Sequence, residues 1–346
     1  MSGDTRSEGV TVAIVGATGA VGEVLLGILA DRNFPVRQLV PLASGRSAGS
    51  KIQFKGESIE VREAKPEVFE GVDLVFFAAT GSLSKVLAPE AVKRGAIVID
   101  KSSTWRMDDS VPLVVPEINP EALDAHQGIV SCPNCTTIGV VMALEPIRRI
   151  AGLKHVVITT LQAVSGTGRP GIEELATQEA AIRKGEEPQA SVYAAPIANN
   201  AVPLCESFLD DGYSTEEMKL LHETRKIMGE THSGGDVDVS MTCVRVPVPV
   251  GHSATMLIET EKVVSLDEVR SALAAFPGVE VVDDISKNEF PTPRDVEGRD
   301  EVLVGRIRRD LGSDRIALWQ VSDNLRKGAA TNAVQTAEAL IARGLL

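Results

Sequence analysis

The sequence of 346 residues predicts an α/β protein of two domains, a doubly wound parallel sheet followed by an α+β domain with a mixed sheet. Three observations predict it. Short apolar strand-like runs alternate with amphipathic helical stretches up to about residue 134, longer strand-like runs dominate from about residue 154, and the chain exceeds the length at which one hydrophobic core keeps growing.

TVAIVG, residues 11–16, reads as a buried strand, and AVGEVLLGILADR after it sets Val21, Val24, Leu25, Ile28 and Leu29 at helical spacing. Strand candidates follow in VRQLVPLAS, VDLVFFAA (72–79) and AIVID (96–100), with the helical pattern LSKVLAPEAVKRG between the last two. Apolar strands alternating with helices require a parallel sheet covered on both faces. The later runs are KHVVITTLQAVSG, DVSMTCVRVPVPVG, ATMLIETEKVV, EVLVGRIRRD and RIALWQVSDN, with a hairpin turn expected at the GSD between the last two. Helices beginning at Ser214 and Ser265 carry the reciprocal capping patterns STEE and SLDE. The tail GAATNAVQTAEALIARGLL is a final amphipathic helix expected to pack back on the first domain. The expected boundaries are 1–134, completed by 326–346, for the first domain and 135–325 for the second.

The composition, 43% hydrophobic and 24% charged, is that of a globular protein. No apolar run is long enough to cross a bilayer, and the start MSGDTRSEGV lacks the apolar segment of a signal peptide, so a cytoplasmic location is expected. Four cysteines, at 132, 135, 205 and 243, are too few for a disulfide framework and fit a reducing compartment. A net charge of −13 disfavours nucleic acid and anionic membranes as partners.

Gly16, Gly19 and Gly22 of GATGAVG sit at the turn between the first strand and the first helix. Small residues there let main-chain N–H groups approach a pyrophosphate at the positive end of the helix, the mark of a Rossmann-type dinucleotide site. The spacing is GxxGxxG and not GxGxxG, so position within the β-turn-α unit carries the argument. Sites for NAD place an acid at the end of the second strand to bind the ribose. LASGRSAG has Ser44, Arg46 and Ser47 there and no acid, which favours NADP, whose 2′-phosphate wants a cation and hydroxyl donors; an exposed loop arginine is the alternative for Arg46.

SCPNCTTIG, residues 131–139, holds two cysteines three positions apart. A zinc site needs further ligands, and there is no second cysteine pair; His126, His155, His222, His232 and His252 are scattered, so no metal is expected. A thioredoxin-type pair belongs in a different β-α-β context. Two plain core cysteines remain a reading. The fourth reading starts a helix at Cys135: Thr136 to Leu144 continue with helical periodicity, and open N–H groups at the helix start would favour its thiolate.

A nucleophilic thiol beside a nicotinamide site suggests a thioester route. Thiolate adds to an aldehyde, hydride transfer from the adduct gives a thioester, and an acceptor removes the acyl group. The adduct needs an acid/base, and His252 in RVPVPVGHS, after a strand and a glycine, is the candidate, although a histidine in that position is also a common loop residue.

GATGAVG, KSSTWRM, VVPEIN, SCPNCTTIG, LQAVSGTG, EEMKLLHETRKIM, CVRVPVPVGHS and WQVSDNLRKGAATNAVQ together resemble the aspartate-semialdehyde dehydrogenase family, bacterial NADPH-dependent type, in order from about residue 11 to 340. The resemblance implies a glyceraldehyde-3-phosphate-dehydrogenase-like pairing of the two domains, a homodimer, and reductive dephosphorylation of L-aspartyl 4-phosphate by NADPH. That reaction leads to lysine and diaminopimelate, threonine, methionine and isoleucine. By the same resemblance Cys135 carries the acyl group and His252 is the acid/base. Arg245 takes the α-carboxylate as a planar bidentate donor, Glu216 the ammonium, and Gln162 orients the acyl group. Arg106 and Lys219 bind phosphate, Ser165 and Gly166 lie against the cofactor, Asn324 contacts the nicotinamide carboxamide, and Thr18, Gly19, Ala20 and Val21 line the pyrophosphate. Read without the family, Glu216 and Lys219 are a solvated helical pair and Asn324 a cap before the last helix. N-acetyl-glutamyl-phosphate reductase shares the thioester logic but acts on an acylated amine with no charge to meet Glu216. Cys132, three residues before the nucleophile, is placed in sequence to resolve a Cys135 sulfenic acid as a disulfide; a buried spectator is the other reading.

Overall fold

The computed structural model describes residues 9–229 and 236–346; residues 1–8, on which the reading of a leaderless start rests, and His232 lie outside them. The chain divides into two compact units, Met1–Pro133 with Ala329–Leu346, and Asn134–Gly328.

The first unit opens with β1 (Val10–Val15), α1 (Ala20–Asp31) and β2 (Val36–Ala43), then a hairpin of β3 (Lys51–Phe54) and β4 (Glu57–Glu60) and the short β5 (Arg62–Glu63). β6 (Leu74–Phe77), α2 (Gly81–Lys93), β7 (Ile97–Asp100) and β8 (Ile129–Ser131) follow. Six strands form one parallel sheet in the order β5-β2-β1-β6-β7-β8. Both faces are buried, and the two-residue period of a strand divides β1 between them. Val12 and Ile14 pack with Leu25, Ile28 and Leu29 of α1, while Ala13 and Val15 pack with Leu87, Ala88 and Ala91 of α2. The GATGAVG turn leaves β1 where the strand order reverses, which in such sheets is where a ligand is bound. The β3–β4 hairpin lies outside the expected elements; Ile52, Phe54 and Ile59 of KIQFKGESIE turn its apolar face to the core beside α1.

The second unit begins with α3 (Cys135–Ala151) and β9 (His155–Gln162), followed by a single 3₁₀ turn over Val164–Thr167 and α4 (Arg169–Arg183). Then come α5 (Thr215–Met228), β10 (Asp238–Arg245), β11 (His252–Glu259), α6 (Leu266–Ala275), β12 (Val279–Val281), the one-turn α7 (Pro293–Val296), β13 (Val302–Arg309) and β14 (Ile316–Ser322). The strands order as β10-β9-β11-β14-β13-β12, with β9–β10 and β12–β13 parallel and the other pairs antiparallel, the mixed sheet expected. The GSD turn joins β13 to β14, and both capping boxes form, at Ser214 with Glu217 and at Ser265 with Glu268. α4 was not anticipated: its buried set of Gly171, Glu174, Leu175 and Gln178 is too polar to show an apolar stripe.

α3, α5 and α6 pack on one face of this sheet. On the other, Val157 stands 37% exposed, flanked in register by Ser240 and Leu257 on the neighbouring strands. A π-helical turn, Arg326–Ala330, leads to α8 (Thr331–Ala342), which belongs to the first unit and packs its Ala333, Val334, Ala337 and Leu340 into the core beside α1.

Candidate active site

Asn134 caps α3. Its Oδ1 accepts from the N–H groups of Thr136 at 2.8 Å and Thr137 at 3.3 Å, which makes Cys135 the first helical residue. The expectation of open N–H groups around the thiol is corrected here: two of them are occupied by the cap. Asn134 is itself held from α5, its side-chain Nδ2 donating to both oxygens of Glu216 at 3.0 and 3.1 Å and its main-chain N–H to Glu223 Oε2 at 2.6 Å.

The C-terminal ends of β9 and β10 carry Gln162 and Arg245 in register, and the adjacent start of β11 carries His252. The imidazole Nε2 of His252 lies 3.3 Å from Cys135 Sγ, while its Nδ1 accepts from the main-chain N–H of Ala163 at 3.0 Å. An Nδ1 that accepts cannot carry a proton, so the neutral ring has its hydrogen on Nε2, toward the sulfur. Burial, aided by the Arg245 charge, holds the imidazole pKa well below its ordinary 6.5.

A cavity of about 210 Å³ opens beside the sulfur, within the second unit, walled by Cys135, Gln162, Glu216, Arg245, Tyr193 and Gly166 among others. It is smaller than the roughly 300–1,000 Å³ of drug-sized pockets, the scale for a small amino-acid derivative. Arg245 is 5% exposed, donates from Nη1 to the carbonyl of Ala163 at 2.7 Å and lies 5.9 Å from the Tyr193 ring, yet its Nε has no partner. A buried guanidinium with no carboxylate beside it among the described residues offers an unmet donor to an anion. Gly166 leaves room for its neighbours: a Cβ there would stand 2.8 Å from Arg245 Nη1 and 3.0 Å from His252 Cε1, so those side chains would have to shift.

Glu216 is buried and reaches the cavity, so the reading of a solvated pair fails for it. Lys219, one turn on, is ion-paired with Glu206 and lies 3.5 Å from Glu216, a double engagement that the sequence did not show for a cation expected to meet phosphate. Gln162 is buried, its Nε2 donating to Thr160 Oγ1. Asn324 is not a helix cap: its Oδ1 accepts from the N–H of Gly251 at 3.0 Å and its Nδ2 donates to Ser165 Oγ at 2.9 Å, tying the strand of His252 to the 3₁₀ turn. Asp323 makes the turn instead, accepting from the N–H groups of Leu325 and Arg326.

In the first unit, Gly16 has φ +90° with the Ala78 carbonyl where a Cβ would stand, and a Cβ on Gly22 would collide with the Gly16 carbonyl. Gly19 brings no capping side chain, so Ala20, Val21 and Gly22 open α1 with N–H groups that no side chain covers, and Thr18 lies half-buried beside them. These residues fit a pyrophosphate. Ser44, Arg46 and Ser47 form the turn after β2, where sequence reading saw no acid; Glu63 of β5 nevertheless reaches Gly45, bridged to Lys65 at 2.6 Å. Arg106 is buried, donating to the carbonyls of Cys132 at 3.0 Å and Lys101 at 2.8 Å.

All four cysteines are free, and Cys135 alone is not buried. Burial pushes the thiol of Cys205 up to about 12 and raises those of Cys132 and Cys243. Among the described residues no group of three or more His, Cys, Asp or Glu is placed to hold a metal ion, and no helix is long and apolar enough to cross a membrane. Sequence reading missed Asn134, Glu223 and Tyr193. Asn134 was visible as a favoured cap residue before a helix, whereas nothing local marked Glu223 or Tyr193.

Residues 11–126 match the family described as semialdehyde dehydrogenase, NAD binding domain, and residues 144–327 match semialdehyde dehydrogenase, dimerisation domain. An aspartate-semialdehyde dehydrogenase of Aquifex aeolicus is 50% identical, over 98% of this chain and 100% of the relative. Aspartate semialdehyde dehydrogenase II of Vibrio cholerae, solved as a complex with ASA, superposes with a TM-score of 0.92 at 42% identity, covering 96% of this chain and 98% of that one. The Candida albicans enzyme, solved with NADP, gives 0.76 at 26% identity over 98% and 100%. Glycine turn, mixed sheet and thiol–imidazole pair thus come together in a chain that belongs to the aspartate-semialdehyde dehydrogenase family.

Proposed function

We propose that this chain is a cytoplasmic, homodimeric NADP-dependent oxidoreductase that reductively dephosphorylates L-aspartyl 4-phosphate to L-aspartate 4-semialdehyde and phosphate. In this reading it serves the biosynthesis of lysine and diaminopimelate, threonine, methionine and isoleucine. Residues 1–134 with 326–346 act as the NADP-binding domain and 135–325 as the catalytic and dimerisation domain. The carrying observation is the 3.3 Å approach of Cys135 Sγ to His252 Nε2 at the wall of a cavity that also holds a buried guanidinium lacking a carboxylate.

The Cys135 thiolate attacks the acyl carbon; a C–S bond forms, the C–O bond to phosphate breaks, and inorganic phosphate leaves a thioester. NADPH, when bound, supplies the hydride that reduces this acyl group. The alkoxide so formed re-forms its carbonyl, the C–S bond breaks, and aldehyde departs with the thiolate restored. In both tetrahedral states the oxygen is negative, and His252, the acid/base of this reading, meets that charge by donating a hydrogen bond from the proton on Nε2. Arg245 holds the α-carboxylate, Glu216 the ammonium, Gln162 the acyl group, and Arg106 and Lys219 the phosphate. Gly16 to Gly22 hold the pyrophosphate, Arg46 and Ser47 the 2′-phosphate, and Ser165, Gly166 and Asn324 the nicotinamide end.

The test is NADPH formation from L-aspartate semialdehyde, NADP and inorganic phosphate, comparing wild type with Cys135→Ala. Phosphate-dependent turnover that the variant loses is expected. No turnover by a folded, NADP-binding wild type would overturn the reading, and turnover of N-acetyl-glutamate semialdehyde in its place would identify the rival chemistry.

A further inference from the structure

We propose that Glu223 is a positioning residue for the Cys135 nucleophile, an inference that rests on the thioester chemistry above. Glu223 lies on α5, seven residues and two turns beyond Glu216, so the two carboxylates share one helix face. Both are buried, Glu223 to 1% exposure, and both point at one residue of another helix. Glu223 Oε2 accepts from the main-chain N–H of Asn134 at 2.6 Å, and Glu216 accepts from its side-chain Nδ2. Asn134 Oδ1 accepts from Thr136 and Thr137, and its carbonyl from the N–H of Ile138 at 3.1 Å. Every polar group of Asn134 is therefore engaged, and Cys135 is the next residue in the chain.

Glu223 is absent from the cavity wall, so it does not act by touching substrate. Its hydrogen bond is short and is made to main chain, and so is independent of any side-chain rotamer of Asn134. It fixes the main-chain nitrogen of Asn134, the residue before the nucleophile. Glu217, between the two, has a different task, closing the α5 capping box and accepting from the N–H of Cys243. One helix thus supplies both the cavity carboxylate Glu216 and the brace that sets where the sulfur stands. A displacement of the order of 1 Å in a reacting group costs roughly 10²-fold in rate.

The experiment compares Glu223→Ala with Glu223→Gln in the full-length protein, by steady-state kinetics of phosphate-dependent semialdehyde oxidation. Glu223→Ala is expected to lower kcat about ten- to a hundredfold with the semialdehyde KM nearly unchanged. Gln keeps an oxygen for the Asn134 N–H, so Glu223→Gln should restore most of that loss. A folded Glu223→Ala with wild-type kcat, or one in which only KM moves, would overturn the proposal, as would Gln performing no better than Ala. Should Glu223→Ala not fold, Glu223→Asp takes its place: one methylene shorter, it must fall below the Gln variant, and equality overturns the idea. Alkylation of Cys135 by iodoacetamide requires no substrate and reads positioning even if wild type does not turn over the semialdehyde. It should be slowed in Glu223→Ala and not in Glu223→Gln, and an unchanged rate in the Ala variant counts against the brace.

Discussion

The main-chain N–H of Ala163 donates to Nδ1 of His252 at 3.0 Å, on the side of the ring away from Cys135. A peptide N–H cannot become an acceptor, so this bond opposes a second proton on the imidazole, in the same direction as burial and the Arg245 charge. Nitrogen-15 NMR of histidine-labelled protein should show His252 neutral and protonated at Nε2 from pH 6 to 8. A signal from the Nδ1-protonated tautomer or from imidazolium would refute the assignment.

The same depressed pKa makes a stability prediction. As pH falls through about 6.5 the unfolded chain takes up a proton at His252 and the folded one does not. The stabilisation is complete above that pH and lost progressively below it. Urea unfolding between pH 8 and 5 should give a steeper loss for wild type than for His252→Gln. His126, whose pKa burial also lowers, contributes equally to both proteins and cancels in the comparison. Identical slopes would place the titration elsewhere.

Cys135 should be the first thiol modified in the native protein. Cys135 is only partly buried, beside His252, while the other three are buried with raised pKa values. Substoichiometric iodoacetamide followed by peptide mass spectrometry should label residue 135 alone. After peroxide, a disulfide between 132 and 135 is not expected, because a buried, protonated Cys132 is a poor resolving thiol; finding one would restore the redox reading.

Arg245→Lys keeps the charge and loses the planar fork and the Nε donor. It should reduce kcat/KM for the semialdehyde by about a hundredfold or more, the usual scale for losing one side of a buried charged pair, while thermal unfolding shifts little. Kinetics within a few-fold of wild type would mean that the carboxylate binds elsewhere.

Val157 is an exposed aliphatic residue of β9, the strand beside the sheet edge, on the face opposite α3, α5 and α6. If that face joins two copies, Val157→Asp should move the protein from dimer to monomer in light scattering. A variant that stays dimeric would place the interface on another surface.

Local pattern was sufficient for much of this protein. The two-residue and helical periods located the strands and helices that meet at the site, the STEE and SLDE boxes located two helix starts, and the three glycines marked the turn after β1. These features depend on residues close together in the chain, whose backbone preferences act locally. Chain proximity could not pair Cys135 with His252, 117 positions apart, or bring Glu216 and Glu223 onto Asn134, 82 and 89 positions away. Nor could it show that Glu206 would engage Lys219, that Glu63 would reach the turn after β2, or that a peptide N–H would choose the tautomer of His252. Residue types were readable from local rules, but partners, burial and protonation depend on which segments the sheet and helices bring together, and only the folded chain decides that.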